Sequence, residues 1–303
     1  MTADKSYKSG FVSIVGRPNV GKSTLLNTLL GQKIAITSPK PQTTRNRILG
    51  IRHLPEGQVI FLDTPGIHRG EGRLNRFMVD QALAACSGVD SVLFLAEADQ
   101  DPGAGDRYIL EILARGDLPV ILVLNKIDLV PRRDQLLPLI EKFSKLFPFR
   151  DIVPLSALKG EGTEELVRIL YDLLPEGPRY YPEEMVTDLP ERFIVAEMIR
   201  EQVLKHTREE VPYGVAVQVE SFTEKPEQNL IVINAVIHVE RDSHKRIVLG
   251  KGGQMIRVIG RDARLDIERL LGTRVYLELF VRVQRNWTES QHLLKEFGYD
   301  PQK

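Results

Sequence analysis

Segment 16–23 carries glycines, a lysine and a hydroxyl at a spacing suited to phosphate binding. It follows the apolar run FVSIV and precedes the helix-prone run TLLNTLL, so the pattern G-x-x-x-x-G-K-[ST] lies between a strand and a helix, whereas a chance glycine turn would not account for both flanks. Glycines let backbone N–H groups surround a phosphate at the helix N-terminus. We expect Lys22 to neutralise β- and γ-phosphate oxygens and Ser23 to bind Mg²⁺. The residues predicted to bind nucleotide here are Gly16, Asn19, Val20, Gly21, Lys22, Ser23 and Thr24.

Two further segments supply groups that a bound triphosphate and its metal need. Asp63-Thr-Pro-Gly66 ends the apolar run VIFLD, where Asp63 can hold Mg²⁺ through water and the Gly66 N–H can meet a γ-phosphate; alone, such a tetrapeptide is merely a turn. The polar loop 38–45 is either an ordinary surface loop or a switch whose hydroxyl binds Mg²⁺ only while the γ-phosphate is present, and we favour Thr44 over Thr43 for that role. The predicted metal ligands are Ser23, Thr44 and Asp63, and the predicted catalytic residues are Lys22, Thr44 and Gly66.

The segment Asn125-Lys126-Ile-Asp128 supplies a carboxylate that can distinguish guanine from adenine. A carboxylate accepts hydrogen bonds from the N1–H and exocyclic amino groups of guanine, whereas adenine has an acceptor at N1 and no amino group beside it. A site built for such paired groups rejects an analogue that leaves them unpaired, so Asp128 is predicted to select GTP over ATP. Segment 156–158 is expected to support the base through backbone N–H groups, although Ser-Ala alone is uninformative. The predicted base-site residues are Asn125, Lys126, Asp128, Ser156, Ala157 and Leu158.

The elements that must position these groups form an alternating pattern. Between residues 10 and 174, five short apolar runs are separated by helix-length segments. Such runs are typical of buried parallel strands with crossover helices, so we predict an α/β fold of the P-loop NTPase kind, in three layers around a mostly parallel sheet. The predicted strands are FVSIV (11–15), VIFLD (59–63), SVLFLA (91–96), VILVLN (120–125) and IVPLS (152–156).

A proline-rich segment divides the chain into two predicted domains. Four prolines between residues 174 and 190 exclude a regular element, so we interpret this segment as a linker. Beyond it, the order helix, strand, strand, helix, glycine-rich loop, helix, strand predicts a smaller α+β domain. The predicted boundaries are 1–174 for the nucleotide-binding domain, 175–190 for the linker and 191–303 for the second domain with its C-terminal helix.

Composition restricts the protein class further. The 303 residues are 42% hydrophobic, enough for two cores, and one cysteine excludes a disulfide framework. No apolar run has the length of a membrane span and the N-terminal residues lack an apolar signal core, so we expect a soluble, cytoplasmic protein. Zero net charge conceals local patches: residues 1–53 hold nine basic and one acidic side chain, and residues 241–285 hold eleven basic and five acidic. The acidic stretch 176–240 is expected to be solvated surface.

The second basic patch contains a G-x-x-G sequence, Gly250-Lys251-Gly252-Gly253. A G-x-x-G loop between two short helices clamps the backbone of single-stranded RNA in KH domains, and Lys251 would supply a cation where a phosphate passes. A lone G-x-x-G is weak evidence, but this one lies in a basic stretch of an α+β domain. Aliphatic residues around it would form the floor of the groove, although a role in the core is the more frequent alternative. The predicted RNA-binding residues are Arg246, Ile247, Val248, Gly250, Lys251, Gly252, Gly253, Ile256 and Arg257.

Taken together, these motifs resemble the TRAFAC-class GTPases, and the combination QTTR, DTPGIH, NKID and SAL resembles the Era family over essentially the whole chain. The resemblance implies a GTPase that uses GTP, GDP and Mg²⁺ and has a type II KH domain. It also implies binding to 16S ribosomal RNA of the small subunit near its 3′ end and a role in small-subunit assembly. A monomer is expected, and a peripheral contact with the inner membrane is left open.

One position departs from the Ras-like pattern. Ile67 follows the Asp-Thr-Pro-Gly segment where Ras-like enzymes carry the glutamine that orients the attacking water, so intrinsic turnover is expected to be slow. Asn19 resembles an asparagine that accompanies a catalytic K⁺ in related GTPases, which makes a K⁺ cofactor a hypothesis. We interpret the protein as a two-domain switch, in which GTP orders the loops around Thr44 and Gly66 and so alters the position or accessibility of the RNA-binding domain. Two alternatives remain: an RNA-binding assembly factor with GTP as a mainly structural ligand, and an ATP-driven enzyme, which NKID disfavours.

Overall fold

The computed structural model describes residues 7–67, 73–208 and 211–299. The chain divides into two compact units. The first comprises Met1–Ala35, Thr44–Arg69 and Met78–Asp188, and the second comprises Ile36–Thr43, Gly70–Phe77 and Leu189–Lys303. Among the described residues, no helix is both long and apolar enough to cross a membrane.

The first unit contains a six-stranded sheet with helices between its strands. The strands are β1 (Lys8–Gly16), β2 (Ile48–Leu54), β3 (Gly57–Asp63), β4 (Ser91–Glu97), β5 (Val120–Asn125) and β6 (Asp151–Pro154), in the spatial order β2-β3-β1-β4-β5-β6. The helices are α1 (Lys22–Leu30), α2 (Arg73–Ala84), α3 (Ala104–Leu113), α4 (Leu136–Ser144) and α5 (Thr163–Leu173). The five predicted strands are present and mutually parallel, which confirms the predicted α/β class.

The sixth strand, β2, was not predicted. It pairs antiparallel with β3 at the edge of the sheet, from Ile48 opposite Asp63 to Leu54 opposite Gly57. Arginine and histidine interrupt its sequence, ILGIRHL, so it lacks the continuous apolar run of the central strands. Its antiparallel direction follows from the two-residue connection to β3, since a parallel neighbour would need a long crossover.

The parallel strands end at one edge of the sheet, which brings the predicted motifs together. β1 leads into the glycine loop, β3 ends at Asp63, and β5 ends at Asn125. The strands are buried on both faces: every residue of β3 and β5 is buried. Sequence motifs more than 100 residues apart in the chain therefore face the same crevice, the usual ligand site of such sheets.

The proline-rich segment contains no helix and no regular strand, and its residues up to 188 belong to the first unit. Its backbone is bound along that unit: Ser9 N donates to Pro175 O at 3.1 Å, and Ile51 N donates to Val186 O at 2.8 Å. The Gln58 side chain accepts hydrogen bonds from the backbone N–H groups of Tyr180 and Tyr181. Much of the segment is therefore attached to the sheet rather than extended through solvent.

The second unit packs helices on one three-stranded sheet. Its strands β7 (Val215–Lys225), β8 (Leu230–Val239) and β9 (Arg274–Val283) lie in that order, β7 antiparallel and β9 parallel to β8. Its helices are α6 (Glu191–His206), α7 (Asp242–Leu249), α8 (Gln254–Leu271) and α9 (Gln291–Glu296). This order confirms the predicted type II KH arrangement. Fully buried Trp287 donates its indole N–H to Gly214 O at 3.0 Å and stacks on Tyr299, which anchors the C-terminal region.

The prediction of a solvated acidic surface is wrong for α6. Glu201 and Arg200 are fully buried, and Glu197 is 9% exposed. The helix is buried along most of its length although its sequence, ERFIVAEMIREQVLKH, is rich in charge. Charged side chains are buried in this way when they are paired, so the charges on α6 have specific partners.

Candidate functional site

The glycine loop places a buried lysine at the start of α1. The Lys22 ammonium donates hydrogen bonds to Arg17 O at 2.9 Å and to Gly16 O at 3.2 Å, which curls the loop around it. Gly21 has φ 98°, and a Cβ there would lie 2.2 Å from Asn125 Nδ2, so any side chain at this position would collide. Asn19 is exposed at φ 66° on the outside of the same loop, and Thr24 is half-buried in the first turn of the helix.

The three predicted metal ligands lie together in the first unit. Ser23 Oγ donates to Asp63 Oδ2 at 2.6 Å and lies 2.8 Å from Thr44 Oγ1. Ligand oxygens bound at about 2.1 Å around an octahedral Mg²⁺ are spaced at about 3 Å, and the 2.8 Å between the Ser23 and Thr44 hydroxyls matches that spacing. Asp63 Oδ1 is buried and has no hydrogen-bond partner among the described residues, an arrangement that suits a carboxylate facing a cation or its water. The residues present therefore fit magnesium.

Burial shifts the pKa of both charged groups at this end of the site. Desolvation lowers the pKa of Lys22 to about 8, against the opposing effect of the Asp63 carboxylate. Desolvation raises the pKa of Asp63 to about 6, opposed by Lys22 and by hydrogen bonds from Ser23 and the Thr64 backbone. The opposite charges nearby therefore do not offset the cost of burying the charged forms of both residues. An anionic phosphate beside Lys22 and a cation beside Asp63 would each stabilise the charged form of its neighbour.

Gly66 and Ile67 meet the glycine loop through their backbone. A Cβ on Gly66 would lie 2.7 Å from the N and Cα atoms of Pro18, so only glycine allows this approach. Ile67 N donates to Gly16 O at 3.2 Å. The Ile67 side chain is 2% exposed and belongs to the apolar core, so it neither orients water nor lies at the phosphate site.

The side-chain amide of Asn125 connects the base end of the site to the phosphate end. Asn125 Nδ2 donates to Val20 O at 2.8 Å, and Asn125 Oδ1 accepts from the Ala157 N–H at 2.9 Å. Half-buried Asp128 accepts a hydrogen bond from Ser156 Oγ at 2.6 Å, which fixes the orientation of its carboxylate. Leu158 is 77% exposed at the rim. Asn125 therefore connects the two loops, whereas Asp128 presents its carboxylate for recognition.

Several residues that support the site were not predicted from the sequence, namely Glu97, Thr28, Arg17 and Asp106. Lys126 forms an ion pair with Glu97 at the end of β4, and Thr28 Oγ1 donates to Ala157 O at 2.7 Å. Arg17 Nε donates to Asp106 Oδ1 at 2.9 Å. These partners lie far from the motifs in the chain, and single acidic or hydroxyl residues carry no recognisable signal. Glu97 ends β4 and Arg17 directly follows β1, so a position at a strand end could have indicated these two, whereas Thr28 and Asp106 lie within α1 and α3.

The G-x-x-G loop of the second unit joins α7 to α8 and requires glycine at its first position. Gly250 has φ 72° and ψ 173°, and a Cβ there would lie 2.6 Å from Met255 Cβ and 2.8 Å from Met255 N. Gly252 and Gly253 also have positive φ, with open space around them. Lys251 is exposed, so its ammonium is accessible to an anion beside the N-terminus of α8.

The side chains around the loop separate into core and surface. Val248 and Ile259 are fully buried in the core of the second unit, the more frequent alternative for such aliphatic residues, so the prediction that Val248 binds RNA is wrong. Ile247 is 45% exposed and Ile256 is half-buried. The predicted contact residues with exposed or half-buried side chains are Arg246, Ile247, Lys251, Ile256 and Arg257.

The fold and these two sites define a P-loop GTPase followed by a KH domain. A family model described as a 50S ribosome-binding GTPase matches residues 11–126, and a KH domain model matches residues 210–288. GTPase Era of Geotalea daltonii is 57% identical over 297 residues, which covers 98% of this chain and 99% of the relative. GTPase Era of Clostridioides difficile is 48% identical over 294 residues, covering 97% and 99%. The chain belongs to the GTPase Era family.

Two solved structures are similar over nearly the whole chain. One is a variant of Aquifex aeolicus Era bound to GDP and AlF4⁻, and the other is Era in complex with MgGDPNP and nucleotides 1506–1542 of 16S ribosomal RNA. Each has a TM-score of 0.94 and 43% sequence identity, and covers 97% of this chain and 99% of its own.

Proposed function

We propose that this chain binds GTP between its glycine loop and Asp128, hydrolyses it, and uses the nucleotide state to control binding of ribosomal RNA. The observation that carries the nucleotide site is the cluster of Ser23, Asp63 and Thr44 beside buried Lys22, in which the buried Asp63 Oδ1 has no hydrogen-bond partner within the described part of the chain. A magnesium ion held by Ser23 and Thr44, with Asp63 acting through water, would neutralise charge on the phosphates.

The chain's own groups have distinct roles in this proposal. The Lys22 ammonium binds phosphate oxygens and stabilises charge that develops on them during transfer. The Gly66 N–H donates to the γ-phosphate, and the Asp128 carboxylate accepts from the guanine N1–H and amino groups. No side chain at position 67 is available to orient water, so slow intrinsic turnover follows from the buried Ile67.

We propose that a potassium ion beside Asn19 supplies positive charge that stabilises the phosphates during hydrolysis. Asn19 supports this proposal because it is exposed on the phosphate loop at φ 66°. Turnover should be faster in potassium than in sodium buffer of equal ionic strength, while GDP affinity stays the same in both. Equal turnover in the two buffers would remove potassium from the proposal and leave the nucleotide site unaffected.

For the second unit, we propose binding of the 3′ region of 16S ribosomal RNA by the G-x-x-G loop. The support is the exposed Lys251 between glycines of positive φ, together with the solved complex of an Era protein with nucleotides 1506–1542 of 16S ribosomal RNA. Arg246 and Arg257 add positive charge beside the loop, and exposed Ile247 offers an apolar contact. Such loops accept single-stranded RNA by its backbone.

The charge-reversal variant Lys251→Glu tests this RNA site. RNA of nucleotides 1506–1542 should bind it at least tenfold more weakly by fluorescence anisotropy, while GTP turnover stays nearly unchanged. Lys225→Glu is the control, because Lys225 lies far from the loop. It ends β7 and, through Leu230, lies in register with Arg274, the first residue of β9 after the C-terminal end of α8. The 18 residues of α8 separate that end from the loop by about 27 Å. Unchanged RNA affinity in Lys251→Glu would contradict the proposed groove.

The competing function, an RNA-binding assembly factor with GTP as a structural ligand, predicts a different result for Ser23→Ala. We propose that Ser23→Ala without nucleotide binds RNA as the nucleotide-free wild-type protein does, but fails to respond to GTP and to support assembly of the small subunit, because its metal site is impaired. Normal assembly with Ser23→Ala would favour the structural-ligand alternative.

We also propose a cytoplasmic monomer, with sedimentation and membrane fractionation as the tests; co-sedimentation with inner-membrane vesicles would establish the peripheral contact that the resemblance leaves open.

A further inference from the structure

The segment Ile36–Thr43 precedes the switch threonine and belongs to the second unit, where it lies against α6. Glu201 on this helix is fully buried, and its carboxylate accepts hydrogen bonds from Thr37 N at 2.8 Å and Thr37 Oγ1 at 3.3 Å. The Lys40 ammonium donates to Leu204 O and Thr207 O at the end of the helix. A cation at a helix C-terminus is favourable because it meets the last carbonyl groups.

A third contact fixes the last residue of the segment. The guanidinium of Arg200, which is fully buried, donates to Thr43 O and to both carboxylate oxygens of Glu197, the latter at 2.8 and 2.6 Å. The planar guanidinium donates from two separate nitrogens in a fixed plane, whereas a lysine has one nitrogen for all three contacts. Arg200 is thus held rigidly by Glu197 while it grips the backbone carbonyl of Thr43.

The next residue along the chain is Thr44, and it belongs to the first unit. Its hydroxyl lies 2.8 Å from Ser23 Oγ, within the candidate metal cluster. Thr43 and Thr44 share a peptide bond, so the grip on the Thr43 carbonyl restricts where the Thr44 side chain can lie. The residue whose carbonyl Arg200 holds is therefore the direct chain neighbour of a residue in the metal cluster.

We propose that Arg200 is a positioning residue for GTP: it holds the Thr43 carbonyl and thereby presents the Thr44 hydroxyl to the metal that accompanies the γ-phosphate. This inference rests on the proposed nucleotide site. It assigns to Arg200 on α6 an indirect part in GTP recognition, exerted through the Thr43 carbonyl. Since GDP lacks the γ-phosphate contact, the positioning effect applies to GTP and not to GDP.

The test compares full-length Arg200→Met and Arg200→Lys with the wild-type protein by calorimetric titration of MgGDPNP and MgGDP. Arg200→Met should bind MgGDPNP about tenfold more weakly, the size of one hydrogen bond from a charged donor, with MgGDP affinity within twofold of wild type. Arg200→Lys keeps the positive charge but lacks the planar guanidinium, so its GDPNP affinity should lie between the affinities of the wild-type protein and of Arg200→Met. Arg192→Met, an exposed arginine on the same helix, is the matched control and should change neither affinity.

The outcomes separate this inference from the proposed function. A selective loss of GDPNP affinity that is graded from Arg200→Lys to Arg200→Met supports the inference. An unchanged ratio of GDPNP to GDP affinity, whether both affinities fall together or neither falls, overturns it. If Arg200→Met fails to fold, the same ratio in Arg200→Lys decides. Failure of the wild-type protein to bind GDPNP would instead refute the nucleotide site itself.

Discussion

Substitution of Asp128 by asparagine should change the base preference of the nucleotide site from guanine to xanthine. Ser156 Oγ donates to Asp128 Oδ1 at 2.6 Å, and in Asp128→Asn the same hydroxyl keeps the amide oxygen at that position. The amide NH2 group must then occupy the place of Oδ2. It faces the exocyclic amino group of guanine, donor against donor, whereas xanthine carries an acceptor oxygen there.

The magnitude follows from the bonds exchanged. A hydrogen bond to a charged group contributes about 1.5–3 kcal/mol, and the variant both loses one such bond and leaves two donors unpaired. We therefore expect GDP affinity to fall by about 100-fold, which corresponds to about 2.7 kcal/mol. Xanthine nucleotides regain the lost hydrogen bond, so XDP should bind the variant more tightly than GDP does.

Calorimetric titration of the nucleotide-free variant with GDP and XDP, each with Mg²⁺, measures both affinities. Asp134→Asn is the matched control, because Asp134 is an exposed carboxylate paired with Arg132 a few residues further along the chain. It should leave GDP affinity and base preference unchanged. If Asp128→Asn retained GDP affinity within threefold of wild type, or still preferred GDP over XDP, the assignment of Asp128 to the base would be refuted.

Two predictions concern the second unit, which contains the only tryptophan of the chain, so fluorescence in urea reports its unfolding. Gly250→Ala should destabilise this unit by about 2 kcal/mol or more, because of its φ and ψ and because the added Cβ would clash with Met255. Gly252→Ala, in open space at φ 61°, should cost about 1 kcal/mol, and equal costs for the two variants would contradict the clash argument. Burial lowers the pKa of His238 to about 4, with Arg282 adding to the effect. The unfolded chain therefore binds a proton below about pH 6.5 that the folded state does not accept until about pH 4, so stability falls as the pH is lowered through that window, by roughly 2–3 kcal/mol from this residue. His238→Phe, which keeps the ring beside Phe297 and removes no hydrogen bond among the described residues, should lose that part of the acid sensitivity. An unchanged difference in stability between pH 7 and pH 4.5 would show that His238 is not its source.

Much of the nucleotide site could be predicted because most of its functional residues lie in short sequence motifs. The loop 16–23 and Asp128 follow apolar strands, Asp63 ends one, and parallel strands bring these ends together. The orientation of Asp128 by Ser156 and the bridge made by Asn125 could not be derived, since both depend on contacts between loops that are distant in the chain.

The fold of the second unit was predictable in its order of elements but not in its burial. The alternation of strands and the G-x-x-G sequence gave the KH arrangement, whereas Val248, on a helix beside the loop, proved to be core. Helix α6 illustrates the limit most clearly. Its charged residues are typical of a solvated face, and only the fold shows that Arg200 and Glu201 are buried against segment 36–43.

The measurement that tests the central claim most directly is calorimetric titration of the purified, nucleotide-stripped wild-type protein with GTP analogue and ATP analogue, each with Mg²⁺. A buried lysine, a cluster of metal-binding oxygens and one oriented carboxylate predict binding of GDPNP with an affinity at least 100-fold above that of the adenine analogue. Equal affinities for the two, or no binding of either, would contradict the account.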